Sequence, residues 1–283
     1  MRLGFLTGYS EERVEFAKKV GFKCLEVQMG PGSSLDLNKT SKEQLKEVRA
    51  IFGENGIEVG TVMCVLRHLD ADAKNRTENM KYFIRVLEAA SEMDAVAVTT
   101  CPLGDPSKDL EGNLPVYKEV FGEYAKAASS FGIKIGMENW PCAGGYPLTI
   151  GSVAITPATW KALFDAVPSE AVGLEFDPSH LYWQEIDYIA AVYEFSKRIY
   201  SVHAKDTEIF RNVQSRAGIY GSGWWRYRIP GWGELNWKEF FKALSNIGYN
   251  GPVIIEHEDQ VFWGERFDDG LRLGFKFLNQ FIP

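Results

Sequence analysis

Apolar positions along this chain fall into two alternating kinds of segment. Nearly continuous apolar runs begin near residues 2, 23, 57, 94, 133, 171, 199 and 252, with cores LGFL, CLEV, VGTVMCV, AVAVTT, IKIGM, AVGLEF, IYSV and PVII. Unbroken apolar character is what strands buried on both faces require. Between them, segments 11–20, 42–55, 76–92, 115–131, 157–167, 186–197, 236–247 and 267–281 carry helical spacing. A helix–Gly–strand phrase recurs as KKVGFKCLEV, GENGIEVGTV, SSFGIKIGME and SNIGYNGPVIIE. Each glycine predicts a left-handed helix end from which the chain turns directly into a strand. Eight strands alternating with eight helices predict an α/β fold, a single (β/α)8 TIM barrel spanning 1–283. A doubly wound sheet is the alternative, but no Gly-rich fingerprint follows the first strand.

Composition narrows the class. The 283 residues are 45% hydrophobic and 24% charged, which fits a folded globular chain and excludes disorder. Lysines and arginines number 31 against 38 acids, a net charge of −7, the wrong sign for gripping phosphate backbones. The four cysteines include no C-x-x-C pair, which excludes a zinc knuckle or a thioredoxin-type redox pair. Unpaired thiols predict a reducing cytoplasm. The apolar run at the N-terminus, Met1 to Leu6, is too short for a signal sequence or a membrane span. The expected partner is therefore a small molecule, with neither nucleic acid nor membrane.

Loop lengths say where the chemistry lies. Helix-to-strand connections are short, whereas loops near 101–114, 139–156 and 205–235 leave the strands and are long. In a barrel that asymmetry marks the C-terminal rim as the functional face. The last four strands end there as IKIGM-Glu138, VGLEF-Asp177, IYSV-His203 and PVII-Glu256. One polar strand end reads as a cap or a rim salt bridge, but four in series, all of ligand type, read as a metal site. Three carboxylates and one imidazole make a hard donor set, which suits one divalent ion, Mn²⁺ before Mg²⁺, Co²⁺ or Zn²⁺. Such an ion can hold two substrate oxygens and stabilise an enediolate. Glu138 and Glu256, at the two ends of this arc, could exchange a proton with either face of a substrate carbon.

The series MEN, DPSH, HAKD, Pro-Gly-x-Gly and IIEHED resembles the xylose-isomerase-like barrel superfamily of sugar isomerases, ketose 3-epimerases, hydroxypyruvate isomerase and inosose dehydratase. The likeness covers the whole chain, with its specific motifs after residue 133. It implies that Glu138, Asp177, His203 and Glu256 bind the metal. It also implies that Glu138 and Glu256 form the acid/base pair and that His180 touches substrate oxygens. Arg228, before Pro230-Gly231-Trp232-Gly233, best matches a substrate-contacting basic residue, with Arg226 as the competitor. Lys205 matches an HxKD variant that looks more like the dehydratase and hydroxypyruvate-isomerase branches, which keeps the reaction type open.

Other rim residues are weaker candidates. Trp140 is a pocket-wall candidate, His68 on the rim after the third strand is a candidate substrate contact, and Trp232 belongs to an aromatic, Gly-rich 205–235 segment. That segment suits a lid or sugar platform and equally a homo-oligomer interface. His257 reads as structural, Glu26 as a hydrogen-bonding group inside the barrel, and Cys101 as a small packed residue. The leading function is a metal-dependent isomerase or epimerase acting on a keto sugar or related polyol. A lyase or dehydratase acting on a keto-inositol or 3-keto-glycoside is the alternative, sharing the first step. An AP-endonuclease-like repair enzyme is a remote third, because the rim offers too few histidines for a three-zinc cluster.

Overall fold

A computed structural model describes residues 1–145 and 148–282. The first half runs β1 (Arg2–Thr7), α1 (Glu11–Val20), β2 (Cys24–Gln28), α2 (Lys42–Asn55), β3 (Glu58–Met63), α3 (Ala73–Glu92), β4 (Ala97–Thr100) and α4 (Leu110–Phe131). The next part is β5 (Lys134–Glu138), α5 (Pro157–Ala166), β6 (Val172–Phe176), α6 (Pro178–Trp183), α7 (Tyr188–Glu194) and β7 (Ile199–Ala204). The chain finishes with β8 (Asp206–Ile209), α8 (Arg211–Ala217), β9 (Trp225–Arg228), α9 (Trp237–Asn246), β10 (Pro252–Ile255) and α10 (Phe267–Leu278). Eight strands close in the order β1-β10-β7-β6-β5-β4-β3-β2, and every pairing around the ring is parallel. This is the (β/α)8 barrel that the alternation predicts.

The recurring glycines do what the phrase requires. Gly21, Gly56, Gly132 and Gly248 have φ of 108°, 66°, 70° and 72°, a region that costs side-chain-bearing residues. They let α1, α2, α4 and α9 stop and turn at once toward β2, β3, β5 and β10.

Three local departures have identifiable causes. The sixth strand is followed by two short helices, α6 and α7, rather than one helix over 186–197. Asp177 caps α6 directly at the strand end, with Pro178 in its first turn, and Glu185 at φ 57° breaks the run. α4 begins five residues before the 115–131 segment because the Asp109 side chain accepts the Gly112 N–H at 2.8 Å. The 205–235 segment is not simply a loop: β8 and β9 pair antiparallel, with α8 between them. Trp224 there is already buried, against Trp183 and Ile209. No described helix is long and apolar enough to cross a membrane.

Candidate metal centre

The strand ends of β5, β6, β7 and β10 meet in space. One ligand atom each from Glu138, Asp177, His203 and Glu256 lies within 4.8 Å of the other three. Barrel closure brings these strand ends together at one rim. Local contacts then fix each group. The Asn139 side chain donates to the Asp177 carbonyl and accepts the Asp177 N–H, both at 2.8 Å, which ties β5 to β6 at ligand level. Asp177 Oδ1 accepts the Ser179 N–H at 2.8 Å as the cap of α6, leaving Oδ2 for the cluster.

The donor set fits a divalent cation. Asp177 Oδ2 and His203 Nδ1 are buried and have no hydrogen-bond partner, an arrangement that proteins otherwise avoid. His203 Nδ1 lies 3.1 Å from Glu256 Oε2 and 3.4 Å from Glu138 Oε1. Three carboxylates with one imidazole make a donor set that could hold a metal ion.

Two cations sit among these acids. Lys205 Nζ donates to Glu256 Oε2 at 2.5 Å and Glu258 Oε2 at 2.8 Å, and lies 3.3 Å from Asp177 Oδ2. Burial works against its charge, but Glu256, Glu258, Asp177 and Glu138 hold its pKa well above the usual lysine value. Burial likewise opposes charge on His203, yet Glu175, Glu256 and Glu26 hold it well above the ordinary histidine range. Burial alone would neutralise Glu138; the hydrogen bond with His180 and the adjacent His203 and Lys205 charges keep it well below the carboxylate range. Glu256 follows the same logic, with Lys205 overcoming burial to bring it to about 2. Both glutamates are thus anionic.

A family model described as the xylose isomerase-like TIM barrel matches residues 14–280. The chain belongs to that family. An inosose dehydratase from Glaesserella parasuis is 25% identical, over 84% of this chain and 89% of the relative. The structure of D-psicose 3-epimerase with D-tagatose, from Clostridium cellulolyticum, superposes with TM-score 0.77 at 19% identity, covering 99% of both chains. An IOLI protein structure with a zinc atom gives TM-score 0.76 at 19% identity, over 100% of this chain and 99% of that one. At such identities the structural likenesses speak for fold alone.

The other candidates divide. His180 joins the cluster: Nε2 lies 3.3 Å from Glu138 Oε1 and 3.4 Å from Asp177 Oδ2, and Nδ1 meets the Tyr227 hydroxyl at 2.9 Å. Tyr227 also lies under Lys205, whose Nζ is 4.5 Å from the ring centroid. Arg228 is brought to the rim, but Nε donates to Asp259 Oδ2 at 2.8 Å and Nη1 pairs with Glu208, while Arg226 Nε donates to the same Glu208. Those donors already serve the fold. Trp232, 49% exposed, lies beside Arg228 and against Phe262, while Trp140 is half-buried just beyond Asn139.

His68 is not brought into the cluster. It is fully buried, and its two ring nitrogens meet the Tyr124 and Thr100 hydroxyls at 2.8 and 2.7 Å. Burial drops its pKa to about 3, so it sits there as a neutral ring among Phe83, Phe121 and Tyr124. This corrects the expected substrate contact, because both ring nitrogens are engaged within the fold. His257 packs flat on Phe267, with centroids 4.2 Å apart.

Sequence reasoning undervalued four residues. Cys101 is packed as expected, but its thiol also donates to Glu138 Oε2 at 3.1 Å, and burial with the adjacent Glu138 keeps it protonated. Asp206, the acid of HAKD, accepts from the Thr207, Gly231 and Leu235 N–H groups and from Trp237 Nε1. It pins the Pro-Gly-x-Gly turn, and a Cβ on Gly233 would stand 2.3 Å from its carboxylate, so only glycine fits. Asn139 had a signal in MEN. Glu175 is an acid inside an apolar strand, visible as the break in VGLEF, and lies with Glu26 beneath His203. Burial and the charge of Glu26 push its carboxyl well above the usual range.

Proposed function

We propose that this protein is a divalent-metal-dependent isomerase or epimerase of a keto sugar or related polyol, working through an enediolate. The observation that carries the reading is the convergence of Glu138, Asp177, His203 and Glu256, with Asp177 Oδ2 and His203 Nδ1 buried and without a hydrogen bond. These four residues would hold the ion, Mn²⁺ by donor hardness, with Mg²⁺, Co²⁺ or Zn²⁺ as alternatives. Bound there, it supplies Lewis acidity that makes a C–H beside a carbonyl removable.

The chain's own groups do the rest. Glu138 and Glu256 are anionic and reach the cluster from strands that two others, β6 and β7, separate. One takes the proton from the carbon, and the other returns it to the opposite face in an epimerisation. His180, held by Tyr227 at Nδ1, turns Nε2 into the cluster beside Glu138, where it can exchange that contact for a substrate oxygen. Lys205 holds Glu256 and Glu258 in position and presents positive charge to developing oxyanions. Trp232 and Trp140 supply apolar surface for a sugar ring, and Arg228 contacts substrate only through donors not given to Asp259 and Glu208.

A dehydratase or lyase is the second reading. Lys205 supports it: an ammonium beside Glu256 can protonate a departing β-hydroxyl. The inosose dehydratase relative supports it too. In the test, Mn²⁺-loaded enzyme in D₂O is offered ketoses, keto-inositols and 3-keto-glycosides. Deuterium gained at the carbon beside the carbonyl, with product mass otherwise unchanged, supports isomerisation or epimerisation. Loss of water or of an aglycone supports the lyase. Absence of exchange and turnover across all three classes overturns both.

A further inference from the structure

Beneath the outer cluster lies a second group of ligand-type side chains: Glu26 from β2, Glu175 from β6 and His203 from β7 bring one atom each within 4.8 Å of one another. All three are fully buried. His203 therefore stands between two acidic layers, Nδ1 toward Glu138 and Glu256, and Nε2 toward Glu26 at 2.7 Å and Glu175 at 3.3 Å. The inner contacts are unequal. Glu26 Oε2 forms a hydrogen bond with Nε2, while its Oε1 accepts the Thr99 hydroxyl at 2.5 Å, so both oxygens are committed and the carboxylate cannot swing. Both Glu175 oxygens have no hydrogen-bond partner.

The inner trio does not make a second metal site. An imidazole that offers its Nδ1 lone pair to one ion carries its proton on Nε2, which then has no lone pair for another. What the inner layer can do is choose which nitrogen is which. A carboxylate fixed on Nε2 favours the proton there, aims the bare Nδ1 at the outer cluster and makes it more basic, because partial negative charge is pushed through the ring.

We infer that Glu26 is a positioning residue for the metal centre, setting the tautomer, orientation and donor strength of His203 from the far side of the barrel. This rests on the proposed metal-binding role of the outer cluster. Glu26 touches neither ion nor substrate; it acts through His203, with Thr99 holding it in place.

The test is divalent-metal affinity of the purified, metal-stripped protein, measured with Mn²⁺ and Co²⁺ by calorimetry and by the visible Co²⁺ absorption. Glu26→Gln keeps the shape and removes the charge, and should weaken binding ~10-fold; Glu26→Leu removes the hydrogen bond as well and should weaken it ~100-fold. The Co²⁺ bands should shift in both, which a purely structural role in the barrel would not cause. Glu175→Gln, in the same buried layer but without the hydrogen bond, should stay within about threefold of wild type. Affinity within twofold of wild type for Glu26→Gln, unmoved Co²⁺ bands, or an equal loss in Glu175→Gln would each overturn the inference. Should the Glu26 variants not fold, Thr99→Val leaves Glu26 charged but free to turn. It should then weaken binding about threefold, and no change there overturns the inference. A wild-type protein that binds neither ion would instead sink the metal reading itself.

Discussion

Two sectors of the same rim use polar residues in opposite ways. On the side of β5, β6, β7 and β10, buried Asp177 Oδ2 and His203 Nδ1 face one another's neighbours with no hydrogen-bond partner. On the side of β3 and β4, buried His68 has both nitrogens matched to hydroxyls and three aromatic rings around it. Both sectors lie at the functional end of the barrel, and both contain a buried histidine. His68, matched at both nitrogens and enclosed by rings, is part of the packing, whereas Asp177 Oδ2 and His203 Nδ1, unsatisfied and gathered with two further carboxylates, are available to a cation. Rim position narrows the candidates; the convergence of several ligand-type atoms separates them.

The sharpest way to break this contrast is to remove ligands from the unsatisfied sector. Asp177→Ala and His203→Ala should lose stoichiometric metal and all measurable turnover while keeping wild-type circular dichroism. In the wild type, chelation should lower the melting temperature, since an ion at 100 times its Kd stabilises the fold by about 2.7 kcal/mol. Full metal content in both variants, measured by plasma emission, would remove the site. Next in size, Glu138→Gln and Glu256→Gln should retain much of the ion through the amide oxygen yet lose ~10²–10⁴-fold in rate. Near wild-type turnover with metal bound would pass the proton-transfer role to His180 or Lys205.

The satisfied sector should answer in stability instead. His68→Ala strands the Tyr124 and Thr100 hydroxyls and should cost about 1–3 kcal/mol in urea unfolding, with metal affinity unchanged. A tenfold change in metal affinity would mean that the two sectors are not separate. The smallest effect belongs to the residue that joins them. Cys101→Ala removes one thiol hydrogen bond to Glu138 and should cost roughly 0.5–1.5 kcal/mol of stability, together with a several-fold fall in kcat.

Some of this site could be read from the linear chain and some could not. Glu138, Asp177, His203 and Glu256 were legible because each follows an apolar run whose end marks the rim. His180 was legible because it lies one helical turn from Asp177, at the start of α6. His68 was equally visible on the rim, yet its partners Thr100 and Tyr124 lie 32 and 56 residues away, on β4 and α4. Nothing local to His68 announces that both nitrogens are used. Arg228 was found by the Pro-Gly-x-Gly turn, but its bond to Asp259 joins the hairpin to the loop after β10, 31 residues on. The 205–235 aromatics were legible as a group, but only packing separates buried Trp224 from exposed Trp232.

The sequence by itself determined the barrel and the identity of its charged rim, because strand burial, helix period and glycine turns are local properties that neighbouring residues settle between them. Closure of the ring decided the rest. It carried Glu26 to His203 across 177 residues and Cys101 to Glu138 across 37. It also sealed these groups from water, where each pairing or missing pair counts for more than it would in solvent. Which buried atoms are matched and which are left over is a property of the closed ring, since a hydrogen bond needs its partner at a set distance and direction that no single strand contains.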